Sequence, residues 1–239
     1  MKLADIWVYL AASPLLHLTL TLLAYLIGDW LYQRANMHPL LNPVLLAIVM
    51  LVSLLTATRT SYATYFEGAQ FVHFLLGPAV VALAVPLYFN AHYLRRMWLP
   101  VLGGLLVGAT TAVLSAVGVA WLLKGSKEVI LSLAPKSVTA PVAMGITEKL
   151  GGLPSLTAIL VVSTGILGAI IGPSILNKLR VRDEAMRGFS MGVTAHGIGT
   201  ARAFQESERA GAFSGLAMGL NTLVTAIIVP PLIYVLHIV

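Results

Sequence analysis

Apolar residues along this chain gather into long charge-free stretches separated by short polar links. A bilayer core about 30 Å thick needs about 20 apolar residues per helix. Six stretches approach that length: Ile6–Gly28 (strongest over Leu15–Ile27), Pro43–Ala57 with its flanks, Phe71–Leu94, Trp98–Leu123, Leu153–Asn177 and Ala212–Ile238. Trp30, Trp98, Trp121 and Tyr234 sit at their ends, where aromatic rings suit the membrane interface. The first stretch follows a single Lys and is succeeded by Asp29, Trp30, Gln33 and Arg34. A secretory signal would show a small-residue cleavage site there, so this stretch is expected to remain a span.

Two further stretches fit neither a clean span nor a clean loop. Glu128–Gly152 contains Ala134-Pro135-Lys136-Ser137-Val138-Thr139-Ala140-Pro141, and Gly188–Gly211 contains Gly192-Val193-Thr194-Ala195-His196-Gly197-Ile198-Gly199-Thr200-Ala201-Arg202. Both mix apolar residues with Gly or Pro, hydroxyls and a cation. Broken helix at membrane depth has to be buried in protein or line a wet cavity, so these are candidate re-entrant hairpins or discontinuous helices. If both return to the side they left, Arg34, Arg95, Arg96, Lys178, Arg180, Arg182 and Arg187 share one side. Lys2, Arg59, Lys124 and Lys127 then face the other. That split follows the positive-inside bias, with both termini outside, better than two full crossings do.

Composition agrees with this pattern. Of 239 residues, 58% are hydrophobic and 10% charged, against about 25% charged in soluble domains. A soluble enzyme or a nucleic-acid binder is thereby excluded, and the formal charge of +6 is assigned to short cytoplasmic links. The absence of cysteine removes disulfides, thiolate metal sites and thiol nucleophiles.

The order of long span, short charged link, broken segment and Gly-x-x-Ser occurs twice, from Trp98 to Ser155 and from about Thr157 to Ser214. A shift of 59 positions lays Gly152 on Gly211, Ser155 on Ser214, and Ser137 on His196. One span between the copies would invert their orientation. Inverted repeats with interrupted helices at matching places point to a transporter binding site, although Gly and Pro are also simply frequent in membrane helices.

Half-helices ending at mid-membrane present unpaired N–H groups that suit an anion. Lys136 and Arg202 would stand beside such ends, unless they snorkel to the interface instead. Ser137, Thr139, Thr194 and Thr200 supply hydroxyls for a second polar group, and Asn221 is a deep polar residue suited to the pocket. His196 suits either substrate or proton binding, or a packed role with a backbone partner. His17, His38, His73, His92 and His237 show no metal-ligand spacing, and Glu148 and Glu206 read as solvated helix-end charges or coupling groups. Ser214 and His196 lack both a Gly-x-Ser-x-Gly setting and an acidic orienting residue, so no catalytic residue, cofactor or metal is expected.

Several strings resemble the LrgB/CidB family: Leu41-Asn42-Pro43, Gly77 to Tyr88, Pro135-Lys136-Ser137-Val138-Thr139, Glu148 to Pro154, Thr194 to Arg202, and Gly211-Ala212-Phe213-Ser214. The match runs in order from about Leu40 to the end. Ala140 stands where family members often have Thr, Ala195 where they have Ser, and Gly197 where they have Ala. The resemblance implies a smaller LrgA/CidA-like membrane partner and a description as holin-like or antiholin-like regulators of murein hydrolase export and autolysis. The plant plastid relative resembles a glycolate/glycerate translocator, and bacterial relatives have been linked to pyruvate and other small carboxylates.

The combined expectation is an all-α, multi-pass protein of the bacterial inner membrane, with about six spans, two broken segments and an inverted repeat. Residues 1–97 would form a scaffold for oligomerisation, and residues 98–239 a transport unit with breaks near 128–152 and 188–211. That unit would carry a small monocarboxylate or 2-hydroxy acid (glycolate, glycerate, lactate or pyruvate type) in an elevator-like motion. Lys136, Ser137, Thr139, His196, Thr200 and Arg202 would meet near mid-membrane. A homodimer, an LrgA-like partner and coupling to a proton or sodium complete the expectation. The rival is an antiholin-like regulator without substrate-specific transport.

Overall fold

The computed structural model describes residues 14–35, 37, 41–75, 78, 81–82, 88 and 91–236. Every regular element among them is helical: α1 (Pro14–Arg34), α2 (Pro43–Ala57), α3 (Tyr62–Phe74), α4 (Ala91–Arg96), α5 (Trp98–Leu122), α6 (Lys127–Leu133), α7 (Ala140–Leu150), α8 (Pro154–Lys178), α9 (Glu184–Glu206) and α10 (Glu208–Val235). Four of these, α1, α5, α8 and α10, are long and apolar enough to cross a membrane, and α2 is a shorter apolar helix. The chain forms two compact units, Met1–Ala82 and Leu83–Val239.

In the first unit α1 continues through Asp29 to Arg34, beyond the apolar stretch that predicted it. Gln33 donates to Asp29 at 2.6 Å and the Arg34 guanidinium lies over the Trp30 ring, so the polar end is absorbed as a helical last turn. Pro43 starts α2 because its missing N–H would be unpaired there anyway. The Asn42 side chain caps the next two N–H groups, from Val44 at 3.0 Å and Leu45 at 3.2 Å. Nearly half of the predicted third span, Phe71–Leu94, lies outside the described residues. Its ends belong to α3 and to the short α4.

The second unit is built on α5, α8 and α10, whose described bounds lie within four residues of the predicted spans. Each is about 37 Å or longer at 1.5 Å per residue. Between α5 and α8 the chain makes α6, a six-residue break at 134–139, and α7. Ser126 caps α6 and Gly151, with φ +82°, ends α7 in the left-handed conformation glycine tolerates. Ser132 Oγ accepts from Leu153 N at 2.9 Å and donates to Glu128 O at 2.6 Å. Thr157 Oγ1 lies within hydrogen-bond distance of Ser132 O at 3.0 Å and of Thr147 Oγ1 at 2.9 Å. The path from the end of α5 to Ser132 spans at most about 25 Å, well short of the length of α5 or α8. The end of α5 and the start of α8 therefore lie at the same end of the unit.

α9 is assigned as one helix but reverses within itself. Arg187 and Glu206, 19 residues apart, form a two-pronged ion pair at 2.8 and 3.1 Å. A straight helix would hold them about 28 Å apart. The reversal is at His196, whose backbone is non-helical at φ 42°, ψ −132°. That conformation costs a non-glycine residue about 1–3 kcal/mol. Residues 184–195 and 197–206 are thus two antiparallel arms, and Thr200 begins the second by donating to His196 O at 2.9 Å. The predicted break over Gly188–Gly211 is therefore a single reversal at His196, and residues 208–211 already belong to α10. At the base of α9, Arg187 also donates to Asn177 Oδ1 at 2.8 Å and Val181 O at 3.0 Å. Arg209 stands 3.8 Å from Asp183. This base lies at the Lys178 end of α8, opposite the base of the α6–α7 pair.

Candidate functional site

The two interrupted segments enter from opposite ends of α8, and their breaks meet. Asn221, buried in the middle of α10, donates from Nδ2 to Ser137 O and to Val193 O, both at 3.1 Å. One side chain therefore ties the break after α6 to the first arm of α9. His196 Nε2 lies 2.9 Å from Val161 O. A carbonyl only accepts, so Nε2 carries the proton. This contact pins the reversal of α9 to α8 about 10 Å from that helix's start. Gly165 permits it, since a methyl there would stand 2.7 Å from the His196 ring.

A cavity of about 570 Å³ opens beside this junction. α5 contributes Ala112 and Ser115, and the first break contributes Lys136 and Ser137. α8 supplies Thr164, Leu167, Gly168, Ile171, Gly172, Ile175 and Leu176, and the first arm of α9 supplies Ser190, Met191 and Thr194. The lining is mostly apolar with a few convergent polar groups, the usual make-up of a small-molecule site. Lys136 is the only charged residue among the described residues of its lining. Its ammonium lies 3.3 Å from Ser137 Oγ, and neither ion pair among the described residues involves it. The second halves of both segments begin at the breaks, as α7 after Thr139 and the second arm of α9 after His196. Their partially positive N-termini accordingly lie where the segments meet.

The residues singled out from sequence divide into three groups. Lys136, Ser137 and Thr194 line the cavity together. Asn221, His196 and Thr200 hold the surrounding backbone: His196 takes the packed arrangement with a backbone partner, and Thr200 is buried against Ser214 Oγ at 3.0 Å. Thr139 precedes α7 without a side-chain cap bond. Arg202 lies on the second arm of α9, toward its base, and donates to Gln205 Oε1 at 2.9 Å. It does not line this cavity. Thr164, Ser115 and Ser190 do line it and escaped the sequence reading, because a hydroxyl inside a continuous apolar span gives no sign of which way it faces. Glu206, read as a solvated helix-end charge or a coupling group, is the partner of Arg187.

Replacing Asn221 with Leu should cost about 2–4 kcal/mol, because two buried carbonyls lose their donor at once. Thermal unfolding of the purified protein in detergent measures this. An unchanged midpoint would mean that Asn221 does not tie the segments together.

The sequence model of the LrgB-like family matches residues 21–235. The Bacillus subtilis protein YxaC is 36% identical over 228 residues, covering 95% of this chain and 99% of its own length. The holin-like protein CidB of Staphylococcus aureus is 31% identical, covering 94% and 98%. CidB of Staphylococcus epidermidis is 29% identical with the same coverage. No solved structure matches the chain.

Proposed function

We propose a transport function for this chain, which belongs to the LrgB-like family: it carries small monocarboxylates or 2-hydroxy acids across the bacterial inner membrane by alternating access. The observation that carries this reading is Lys136. It is the one charged group among the described residues lining a cavity beside two helix breaks, in a unit whose long helices suit a bilayer. A cation at membrane depth is expensive and by default marks function. One positive charge, flanked by helix N-termini and the Ser137 hydroxyl, matches a single carboxylate.

Supporting the reading further, the breaks fall at Ser137 and His196, the positions the 59-residue shift superposes. The same shift carries α6 onto the first arm of α9 and α7 onto the second. Two re-entrant segments meeting from opposite ends, with α8 between them, are the arrangement expected of inverted repeats around a central site. In this scheme the amino-terminal spans serve as scaffold and homodimer contact. An LrgA/CidA-like protein is the partner, and a proton or sodium ion the coupling species.

Uptake of radiolabelled glycolate, lactate and pyruvate into proteoliposomes tests the function, with and without the LrgA-like partner. Saturable uptake of one or more acids is expected. The names of the CidB relatives suggest another outcome: leakage of unrelated large solutes without saturation would favour a holin-like lesion over a carrier.

A further inference from the structure

Five hydroxyl-bearing residues line the cavity, and they are not equivalent. Ser115 donates to Ala112 O at 3.3 Å, Ser190 to Met186 O at 2.9 Å, and Thr194 to Ser190 O at 2.7 Å. Each thus spends its proton on its own helix, as hydroxyls in apolar helices commonly do. Ser137 accepts from Lys136. Thr164 makes no hydrogen bond among the described residues, although Thr157, Thr194, Thr200 and Thr222 all bond to the carbonyl four residues back. Its hydroxyl is therefore available to a ligand in a mostly apolar cavity.

The position of Thr164 is also fixed. It lies on α8 between Val161, whose carbonyl holds His196, and Gly165, which lies under the His196 ring. α8 is thereby held against the reversal of α9 at this level, and a rigid support of that kind is what a selective contact needs. Lys136 and Ser137 enter the same cavity from the other segment.

We propose that Thr164 is the residue that recognises an oxygen on the carbon next to the substrate's carboxylate, so that it separates 2-hydroxy and 2-oxo acids from plain monocarboxylates. The inference rests on the carrier reading above. The carboxylate lies against Lys136 and Ser137, and the Thr164 hydroxyl bonds the neighbouring oxygen. As a donor it serves a 2-oxo group, and as donor or acceptor it serves a 2-hydroxyl.

The test is the protein-dependent initial rate of lactate, pyruvate and propionate uptake, measured over protein-free vesicles. The intact protein should prefer lactate and pyruvate to propionate. Thr164→Val keeps the side-chain volume and removes the hydroxyl. It should lower both preference ratios roughly tenfold, the worth of one hydrogen bond. Thr164→Ser should restore the preference. Two results would overturn the inference while leaving the carrier standing: an intact protein that moves all three acids without preference, and a Val variant that keeps the preference. A Val variant that loses all three acids equally would likewise refute a selective role. If the intact protein moves none of the three acids, with or without the LrgA-like partner, the inference and the carrier reading fall together.

Discussion

Lys136→Gln should abolish saturable carboxylate uptake while the protein remains folded. The substitution keeps a polar side chain of similar length beside Ser137 and removes the only charge among the described residues of the cavity lining. Truncating one partner of a desolvated charge pair costs about 2–5 kcal/mol, so uptake at subsaturating substrate should fall by about a hundredfold. Stability should move the other way. The ammonium has no carboxylate partner among the described residues, and holding it in a largely apolar groove opposes folding. The variant's melting midpoint in detergent is therefore expected at or above that of the unaltered protein. Lost uptake with a raised midpoint separates a substrate site from a structural lysine, whose removal would lower the midpoint. Full uptake in the variant would remove Lys136 from the site.

The largest effect on stability is expected in the first arm of α9. Gly188 and Gly192 face the backbone of α10 so closely that an added methyl would meet Ala210 O and Ser214 O respectively. These obstacles are main-chain atoms of a packed helix and cannot turn aside as a flexible side chain would. Gly188→Ala and Gly192→Ala should each cost about 3 kcal/mol, the upper end for overpacking, and should yield aggregated or poorly expressed protein. Gly103 and Gly118, on α5, have nothing among the described residues within 4 Å of an added methyl. Alanine there should stabilise by about 0.5–1 kcal/mol through the unfolded state and helix propensity. Thermal unfolding of the four variants side by side checks the contrast. Equal effects would mean that the α9–α10 contact is looser than the structure has it.

The spans were legible because a bilayer imposes one rule that composition alone expresses. Helices of about 20 apolar residues satisfy their own backbone hydrogen bonds. Hence α5, α8 and α10 are readable to within a few residues, whereas α1 overruns its apolar stretch through local pairing of Asp29 with Gln33. The two broken segments were visible for the complementary reason, since Pro135, Pro141 and the glycines around His196 interrupt otherwise apolar sequence.

The order of α5, α8 and α10, and of the two interrupted segments between them, each carrying a cation, was thus legible in the sequence itself. Tertiary structure decided which of those cations faces a cavity. Lys136 and Arg202 look alike as cations inside Gly- or Pro-bearing strings. One sits in the break itself and the other six residues beyond a reversal, back toward the base of α9. That difference depends on the φ of His196 and on the Arg187–Glu206 pair, which joins residues 19 positions apart. Periodicity carries no information on such contacts, because they exist only once the chain has folded back. The same holds for Asn221, whose two acceptors lie 84 and 28 residues away, and for Thr164, whose hydroxyl acquires a role only from what surrounds it.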